Sequence, residues 1–483
     1  MPTSHPSGWA HADGALSSKR PGGPHWLREP DDSNRLVPHL WSLTADKVDG
    51  VLHVGGAAVP DVVAEVSTPA YLLDEADFRS RARAFRDAFG GYDVYYAGKA
   101  FLCTTLASWV AEEGLLLDVC SGGELTVALR AGVDPARIGF HGNNKSYAEL
   151  RRAVAVGVGR IIVDSSQEIE RLREITAEVA ATGTGGRPVP VMVRVTAGVE
   201  AHTHEYIATA HEDQKFGFSI SGGDALEAVR RVVAEPGLDL RGLHSHIGSQ
   251  IFDASGFEIA ARRVLALHKT VSDELGVMMP ELDLGGGFGI AYTTQDDPAD
   301  PAELATELTK IVQHECRALG LPVPRLSIEP GRAIVGPSMC TVYTVGTVKE
   351  VALDGGARRT YISVDGGMSD NIRTALYDAD YSCTLASRHS DAPPVLARVV
   401  GKHCEAGDIV VKDEFLPGDI APGDLLAVPG TGAYCWSMAS NYNHLLRPPV
   451  VAVRDGVVRV LVRRETEDDL LATDLGQHVE GDR

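Results

Sequence analysis

Several features that would place the chain in a special class of protein are missing from its sequence. No apolar run approaches the roughly 18 residues that a membrane span needs. The amino-terminal segment lacks the apolar core of a secretory signal, which is about 7 to 15 residues long. The seven cysteines form no C-x-x-C pair of the kind that binds zinc or cycles between redox states. These absences predict a cytoplasmic protein with reduced thiols and no membrane partner.

Basic residues are also scarce. The chain has 45 Lys and Arg against 66 Asp and Glu, which gives a formal net charge of -21. Such a field repels phosphate backbones and anionic lipid surfaces, so a nucleic-acid partner is not expected. Any anionic ligand must instead be bound by particular arginines or by backbone amides.

What the sequence does contain is a regular alternation of short and long segments. From residue 70 onward, β-branched or Leu-rich runs alternate with Ala/Glu/Arg-rich stretches of helical period, which is the pattern of repeated βα units. Eight such units close into a (β/α)8 barrel, whose active site forms at the carboxyl ends of the strands. The predicted strands are Asp93–Ala97, Leu115–Val119, Ile138–His141, Arg160–Val163, Val189–Val195, Leu240–His244, Glu281–Leu284 and Arg325–Ile328.

The predicted fold class is therefore α/β, a TIM barrel over residues 70–335 with a second, mostly antiparallel β domain. The second domain is predicted over 336–471, where Val/Thr/Tyr-rich segments are separated by Gly, Pro and Asp turns. Residues 36–69 are expected to add strands to that domain. Residues 1–35, rich in Pro, Gly, Ser and His, are expected to form a disordered lead-in, and residues 472–483 a tail.

Three features that follow the predicted strands are candidates for chemistry. Desolvation at Lys99 would lower the pKa of its amine and favour a Schiff base, although a snorkelling surface lysine explains the position about as well. The run Gly285–Gly287 allows close backbone approach to a phosphate, and an ordinary tight turn is the alternative. Glu329 needs a cationic partner, either a protonated ring nitrogen or Arg332.

Histidines offer two further possibilities. His246 could stack on an aromatic ring, although a hydrogen-bonded core histidine is the more frequent case. A metal site is suggested by a group of side chains in one loop, but no predicted strand or helix there would set the ligand geometry, so no metal is predicted. That group is His202, His204, His211, Glu205, Glu212 and Asp213.

Six motifs, taken together in their order and spacing, resemble the set found in fold-type III pyridoxal-phosphate (PLP) decarboxylases. The resemblance extends from roughly Ser67 to Leu471. The motifs are Tyr96-Ala97-Gly98-Lys99-Ala100, Ser121-Gly122-Gly123-Glu124-Leu125, Lys215-Phe216-Gly217, His246-Ile247-Gly248-Ser249-Gln250, Gly285-Gly286-Gly287 and Glu329-Pro330-Gly331-Arg332.

This resemblance implies PLP as the cofactor and assigns its contacts. Lys99 would hold the cofactor covalently, and His246 would stack on its ring. Glu329 would keep the ring nitrogen protonated, so that the ring takes up the electrons left on Cα when CO2 departs. The other residues that the resemblance places at the cofactor, several of them at its phosphate, are Ser249, Gly287, Pro330, Gly331, Arg332 and Tyr434.

Three motifs in the predicted second domain look like the substrate-side motifs of diaminopimelate decarboxylases. They are Asn371–Tyr377, Gly401–Glu405 and Gly432–Cys435. A guanidinium matches a carboxylate with two parallel hydrogen bonds, so arginines here imply a substrate with a remote carboxylate. The residues that would bind the distal L-amino-acid end of meso-diaminopimelate are Arg332, Arg373 and Tyr377, with Glu405 on its ammonium group. Tyr434 would be a further substrate-binding residue.

Cys404 matches the proton donor of the family. A thiol with a pKa near 8.5 stays mostly protonated at neutral pH and can act as an acid, whereas an isolated cysteine is more often a small buried hydrophobe. In the family this cysteine and the residue matching Glu405 come from the partner subunit, which implies a homodimer with the active site at its interface. Thr374 stands where the family usually has Pro, so a looser loop around Arg373 is expected.

Three alternatives remain. A racemase of this fold would need a second catalytic base and would have no use for Arg373, Cys404 and Glu405. A decarboxylase of ornithine, arginine or carboxynorspermidine would replace the arginines that bind the distal carboxylate. A protein without catalytic activity would be either a cofactor carrier, which resembles the barrel alone, or a regulator, which tends to lose the lysine or the cysteine. The favoured prediction is a PLP-dependent carboxy-lyase that converts meso-2,6-diaminopimelate at its D centre to L-lysine and CO2.

Overall fold

The computed structural model describes residues 23–24, 26–182, 187–198, 215–352 and 358–476, and every structural statement below concerns these residues. The loop histidines and carboxylates considered above for a metal lie outside them. Most of the predicted lead-in does so as well.

The strands supply two large sheets and one small one. In chain order they are β1 (Asp46–Val48), β2 (Val51–Val54), β3 (Ala57–Ala58), β4 (Ala70–Asp74), β5 (Tyr92–Ala97), β6 (Leu116–Val119), β7 (Ile138–Phe140), β8 (Arg160–Val163), β9 (Val189–Thr196), β10 (Phe218–Ser219), β11 (Leu238–His244), β12 (Glu281–Asp283), β13 (Arg325–Ile328), β14 (Met339–Ala352), β15 (Arg358–Val364), β16 (Thr384–Leu385), β17 (Pro394–Val400), β18 (Ile409–Pro417), β19 (Leu425–Pro429), β20 (Val450–Arg454) and β21 (Val457–Val462).

The α-helices fall mainly between the strands of the first large sheet. In chain order they are α1 (Val59–Val66), α2 (Glu75–Ala88), α3 (Thr104–Glu112), α4 (Gly122–Arg130), α5 (Tyr147–Val156), α6 (Ser166–Ala181), α7 (Asp224–Ala234), α8 (Ser255–Leu275), α9 (Pro301–Leu319), α10 (Arg332–Val335), α11 (Arg373–Tyr377) and α12 (Glu467–Leu471).

Eight parallel strands form a closed barrel, which confirms the predicted fold class. The order β9-β11-β12-β13-β5-β6-β7-β8 is closed by pairing between β8 and β9, and β10 adds to the edge of β9. The register joins Leu326 to Tyr92 across β13 and β5, and Ile161 to Val191 across β8 and β9. Each of the eight predicted runs supplies one of these strands.

Burial explains why these runs form barrel strands. Strands β7 and β8 are buried at every residue, as expected for a parallel sheet covered by helices. Three serines then end loops and begin helices: Ser121, Ser146 and Ser165 each accept the backbone N–H three residues later. These caps start α4, α5 and α6 close to the carboxyl ends of the preceding strands.

The second large sheet has the order β18-β17-β15-β14-β4-β20-β21, with β19 pairing with β14 and β16. Most of its pairs are antiparallel, although β15–β17 and β20–β4 are parallel. Strands β1, β2 and β3 form a separate antiparallel sheet. Both sheets contribute to one apolar core, in which Leu52 and Val54 pack with Leu72, Val342 and Val451.

The chain divides into two compact units. One contains the described residues up to Phe78, the segment Ala291–Asp296 and the described residues from Val335 onward, and the other contains Arg79–Ile290 and Asp297–Ile334. We call these the sheet unit and the barrel unit. Strand β4, within the range predicted for the barrel, pairs with β14 and β20 in the sheet unit, because its apolar side chains belong to that core.

A search of the described helices for a segment both long and apolar enough to cross a membrane finds none.

Candidate active site

The carboxyl ends of the barrel strands carry the polar residues singled out from the sequence. Lys99 lies in a single 3-10 turn, Gly98–Ala100, directly after β5, and its side chain is half-buried. A Cβ atom at Gly98 would lie 2.8 Å from the carbonyl oxygen of Asp118, and one at Gly331 would lie 2.9 Å from the Cβ of Ala97. Only glycine therefore allows the backbone to pack this tightly on either side of the lysine.

Glu329, at the end of β13, is 4% exposed and lies against two imidazoles. Its Oε1 is 3.1 Å from Nε2 of His141 and 3.3 Å from Nε2 of His244. The two imidazole rings are edge to face, with their centroids 5.1 Å apart. The ligand atoms of the three residues lie within 4.8 Å of one another, close enough to hold a metal ion. A buried carboxylate beside two imidazoles is also suited to form an ion pair with a protonated ring nitrogen.

The pKa values indicate which of these groups are charged. Burial by itself would raise the pKa of Glu329, but the two imidazoles outweigh burial and hold that pKa well below its usual range. Burial lowers the pKa of both His141 and His244 against the opposing pull of Glu329. The site therefore presents an ionised carboxylate next to two imidazoles, and the buried Oε1 of Glu329 accepts no hydrogen bond of good geometry from the described residues.

Asp118, at the end of β6, is a second buried carboxyl group in this region. Burial, followed by repulsion from Glu329, raises the pKa of Asp118 to about 7, while the ammonium of Lys99 opposes the rise. The neighbouring Cys120 has its pKa raised well above the usual range, first by burial and then by Asp118. The lysine therefore lies in the electrostatic field of a carboxyl group that can exchange a proton near neutral pH.

The sequence placed His141 and His244 among the polar residues at the carboxyl ends of the predicted strands but assigned no role to them, and it did not indicate Asp118. A signal was present for Asp118 and His141, since each is an ionisable residue within or directly after a short apolar strand. It was weaker for His244, because its strand also contains Asp239 and Arg241. Burying an ionisable side chain costs free energy unless it is paired or hydrogen-bonded, so such residues often mark a site. Their mutual distances, however, depend on barrel closure and cannot be read from the sequence.

The run Gly285–Gly287 packs so closely against neighbouring backbone that none of its three positions has room for a side chain. We call this run the glycine cradle. A Cβ at Gly285, Gly286 or Gly287 would lie 2.3, 2.4 or 2.6 Å from a backbone oxygen, respectively. The amide of Gly285 donates to Asp283 Oδ1 at 2.7 Å, and that of Gly286 donates to His246 Nδ1 at 3.2 Å. Of the three amides, that of Gly287 alone has no side-chain acceptor among the described residues, so it is the one that can donate to a phosphate.

His246 is oriented by the same glycine run. Because its Nδ1 accepts the amide of Gly286, the imidazole is held against the loop at the barrel mouth. Burial, with further contributions from Lys99 and Arg194, lowers the pKa of His246 well below its usual range. A neutral imidazole fixed in this way can stack flat on an aromatic ring.

An ion pair inside the barrel holds the cradle in place. The guanidinium of Arg160 contacts Asp283 Oδ2 and donates to Ser327 at 3.0 Å, and it lies 4.0 Å from the ring centre of Tyr95. The other oxygen of Asp283 accepts the amide of Gly285. Arg160 therefore fixes the glycine run through a buried carboxylate and does not face a ligand itself.

Ser249 and Arg332 are brought together. Nη2 of Arg332 donates to the hydroxyl of Ser249 at 2.8 Å. Gln250, the next residue, has φ +58° and exchanges two hydrogen bonds with the backbone of Ile290, at 3.1 and 3.0 Å. This side chain anchors the loop that carries His246 and Ser249. Pro330 and Gly331 form the turn between Glu329 and Arg332.

In the sheet unit, Arg373 is 4% exposed and begins α11. Its Nη1 donates to the hydroxyl of Tyr381 at 2.5 Å, and its guanidinium lies 4.5 Å from the ring centre of Tyr292. This hydrogen bond goes to a neutral group and not to a carboxylate, and Nε of Arg373 has no partner in the described residues. The arrangement leaves a buried positive charge that an anionic ligand could neutralise.

The loop around Arg373 is tied down at Thr374. The Thr374 hydroxyl is buried and donates to the carbonyl of Val410 at 3.2 Å. The looser loop expected from the missing proline is thus opposed by a hydrogen bond that proline could not make. Tyr377, at the other end of α11, is half-buried.

Cys404 and Glu405 are exposed in the isolated chain, on a loop that is anchored by the buried residue before them. That residue is His403, whose Nε2 lies 2.8 Å from the Ser369 hydroxyl and whose ring stacks on Tyr442. The loop is therefore anchored by His403, while the thiol of Cys404 and the carboxylate of Glu405 are exposed. Tyr434, half-buried, adopts φ +61° between two buried neighbours.

The barrel residues fit PLP. Oε1 of Glu329, buried and without a hydrogen bond from the described residues, suits a protonated pyridine nitrogen. The glycine cradle suits a phosphate, and the imidazole of His246 suits a ring face. Lys99 offers an amine in the same region. Together these groups can bind an anionic, aromatic aldehyde and stabilise positive charge on its ring.

Comparisons with known proteins agree with this interpretation. The family model of the pyridoxal binding domain of pyridoxal-dependent decarboxylases matches residues 75–336. Diaminopimelate decarboxylase of Mycobacterium leprae is 53% identical over 481 residues, which covers 98% of this chain and 99% of that protein. The enzyme of the same name from Mycobacterium bovis is 56% identical over 447 residues, 91% of this chain and 98% of its own length.

A solved structure is also similar. The diaminopimelate decarboxylase of M. jannaschii in complex with L-lysine has 28% sequence identity and a TM-score of 0.82, covering 90% of this chain and 98% of its own. The similarity in both sequence and structure therefore extends through the barrel unit and the sheet unit.

Proposed function

Because the chain belongs to the family of pyridoxal-dependent diaminopimelate decarboxylases, we propose that it acts in lysine biosynthesis on meso-2,6-diaminopimelate. The enzyme is a PLP-dependent carboxy-lyase. It removes the carboxylate of the D centre and yields L-lysine and CO2. The observation that carries the choice of substrate is the buried guanidinium of Arg373, which has no carboxylate partner among the described residues. Decarboxylases of plain diamino acids do not need an arginine that binds a distal carboxylate.

The barrel residues act on the cofactor and on the reacting carbon. When bound, PLP supplies the ring that accepts the electron pair left by the departing CO2. Lys99 binds the cofactor covalently, and its ammonium form lowers the pKa of the nearby Asp118 carboxyl group against the effect of burial. Glu329 forms an ion pair with the protonated ring nitrogen and keeps it protonated. His246 covers one face of the ring and excludes water from it. Ser249, Gly287 and Tyr434 bind the phosphate, as the family resemblance implies.

The substrate is held by its distal amino-acid end. Arg373, with Arg332 and Tyr377, binds the distal carboxylate, because paired guanidinium donors match its two oxygens. Glu405 binds the distal ammonium. After CO2 leaves, the Cys404 thiol gives its proton to Cα, which fixes the configuration of the product.

A substrate panel tests this function. Purified protein with PLP is expected to release CO2 from meso-diaminopimelate and to form L-lysine, with little release from the LL and DD isomers, ornithine or arginine. Arg373→Ala is expected to lower kcat/KM for the meso isomer by about 30-fold or more, or about 2 kcal/mol, because a substrate carboxylate would be left unpaired. CO2 release and product chirality are the measurements.

Arg358→Ala is the matched control, since Arg358 lies on the same unit but is exposed. It is expected to leave kcat/KM unchanged. Rapid CO2 release from ornithine or arginine, with none from the meso isomer, would support the alternative decarboxylases instead.

We further propose a homodimer in which each active site receives Cys404 and Glu405 from the partner chain. Their exposure on a firmly supported loop is the supporting observation. Mixing Lys99→Ala chains with Cys404→Ala chains is expected to restore activity to about one quarter of the wild-type value, because half of the dimers would be mixed and each would hold one intact site. Activity is measured after the chains are unfolded and refolded together. A mixture as inactive as its separate components would contradict a shared site.

A cytoplasmic location is also proposed. All seven cysteines, buried or exposed, are free in the structure, which fits a reducing compartment.

A further inference from the structure

Arg373 is surrounded by neutral groups of the sheet unit, which together form what we call the arginine clamp: Tyr292, Asn371, Tyr381 and Cys435. The guanidinium stacks over the Tyr292 ring at 4.5 Å and donates through Nη1 to the Tyr381 hydroxyl. The backbone amide of Arg373 donates to Asn371 Oδ1 at 3.3 Å. The clamp therefore contacts both the backbone and the guanidinium of Arg373.

The polar atoms of the clamp are linked in a chain. Since the Tyr381 hydroxyl accepts from Arg373, its own proton can be donated to the Cys435 sulfur, 3.6 Å away. The Cys435 thiol in turn donates to Asn371 Oδ1 at 3.5 Å. Burial, the largest effect, raises the pKa of Tyr381 well above its usual range, so the residue stays a neutral phenol. The chain returns to the arginine through Asn371.

The chemistry of this clamp is unusual for a buried arginine. A carboxylate partner would neutralise the guanidinium, whereas a phenol fixes its orientation and leaves its charge available. Elsewhere in the sheet unit the buried Arg359 does have a carboxylate partner, Asp413, at 2.7 Å. The difference between the two arginines indicates that the charge of Arg373 is kept for a ligand.

We propose that Tyr381 is a positioning residue that orients Arg373 toward the distal carboxylate and thereby sets the preference for ligands that carry one. This inference rests on the proposed function. Tyr381 acts through Arg373 and need not touch the substrate, and its loss should weaken binding of the carboxylate without slowing the chemistry at the other end of the molecule.

Tyr381→Phe tests the inference because it removes the hydroxyl alone. The KM for meso-diaminopimelate is expected to rise about tenfold while kcat stays within about twofold. L-lysine and cadaverine, which differ only by the carboxylate, supply a second readout as inhibitors. The inhibition constant of L-lysine is expected to rise about tenfold, and that of cadaverine to stay unchanged. In an Arg373→Ala background, Tyr381→Phe should add almost nothing.

Tyr361→Phe, at a half-buried tyrosine of the same unit outside the clamp, is the control and should change none of these values. If Tyr381→Phe does not fold, Asn371→Ala removes another contact of the clamp and is expected to show the same separation of L-lysine from cadaverine. Equal weakening of both inhibitors, or an unchanged KM, would overturn the inference. Absence of CO2 release by the wild-type enzyme would instead contradict the proposed function.

Discussion

Lys99→Ala is expected to reduce kcat/KM about a thousandfold or more and to remove the visible absorbance that bound PLP gives to the wild-type protein. The reason is that this amine is the covalent attachment point in the proposed site, and alanine offers no lone pair in its place. Steady-state CO2 release and an absorbance spectrum after dialysis measure the two effects. The glycines on either side, Gly98 and Gly331, should keep the backbone unchanged, so the fold is expected to persist.

Lys310→Ala provides the comparison, because Lys310 is an exposed lysine on the barrel unit, on α9. It should retain both absorbance and activity. Borohydride treatment of the wild type with PLP should attach the cofactor to Lys99 alone, as seen by peptide mass analysis. A Lys99→Ala protein that keeps the absorbance band, or a label on another lysine, would contradict the assignment of the cofactor.

The barrel could be predicted because its strands are short, apolar and evenly spaced. Arg160–Val163 and Arg325–Ile328 begin and end in the structure where the sequence indicated, since each is bounded by a polar residue or a turn. The membership of Ala70–Asp74 could not be predicted in the same way. An apolar strand of five residues fits a barrel or an antiparallel sheet equally well, and only its partners β14 and β20 decide between them.

Part of the candidate site could also be predicted from local sequence. Motifs identify residues one by one, so Lys99, His246 and Glu329 could be named as candidates from the sequence. Distances between strands set the rest: the imidazoles of His141 and His244 lie beside Glu329 only because β7, β11 and β13 belong to one closed sheet. Sequence reasoning considered Arg332 as the partner of Glu329, whereas the structure pairs that carboxylate with histidines.

Glu329→Gln is expected to lower kcat about a hundredfold to a thousandfold while leaving PLP bound. Glutamine has nearly the same shape but no charge, so it cannot keep the ring nitrogen protonated and the ring becomes a weaker electron acceptor. The Glu329 charge is also the second cause, after burial, of the raised pKa of Asp118. Its removal should therefore shift the Asp118 pKa below about 7 and move any limb of the pH–rate profile that reports this group to lower pH.

Three measurements separate this electrostatic role from loss of structure. Thermal melting and the PLP absorbance should stay close to those of the wild type, and kcat alone should fall. Glu315→Gln, at a mostly buried glutamate paired with the exposed Arg262, should leave kcat unchanged because it lies on α9 and not at the barrel mouth. The two imidazoles cannot replace the missing negative charge, because an imidazole side chain is either neutral or positively charged. A Glu329→Gln enzyme with wild-type kcat would therefore mean that ring protonation does not depend on this carboxylate.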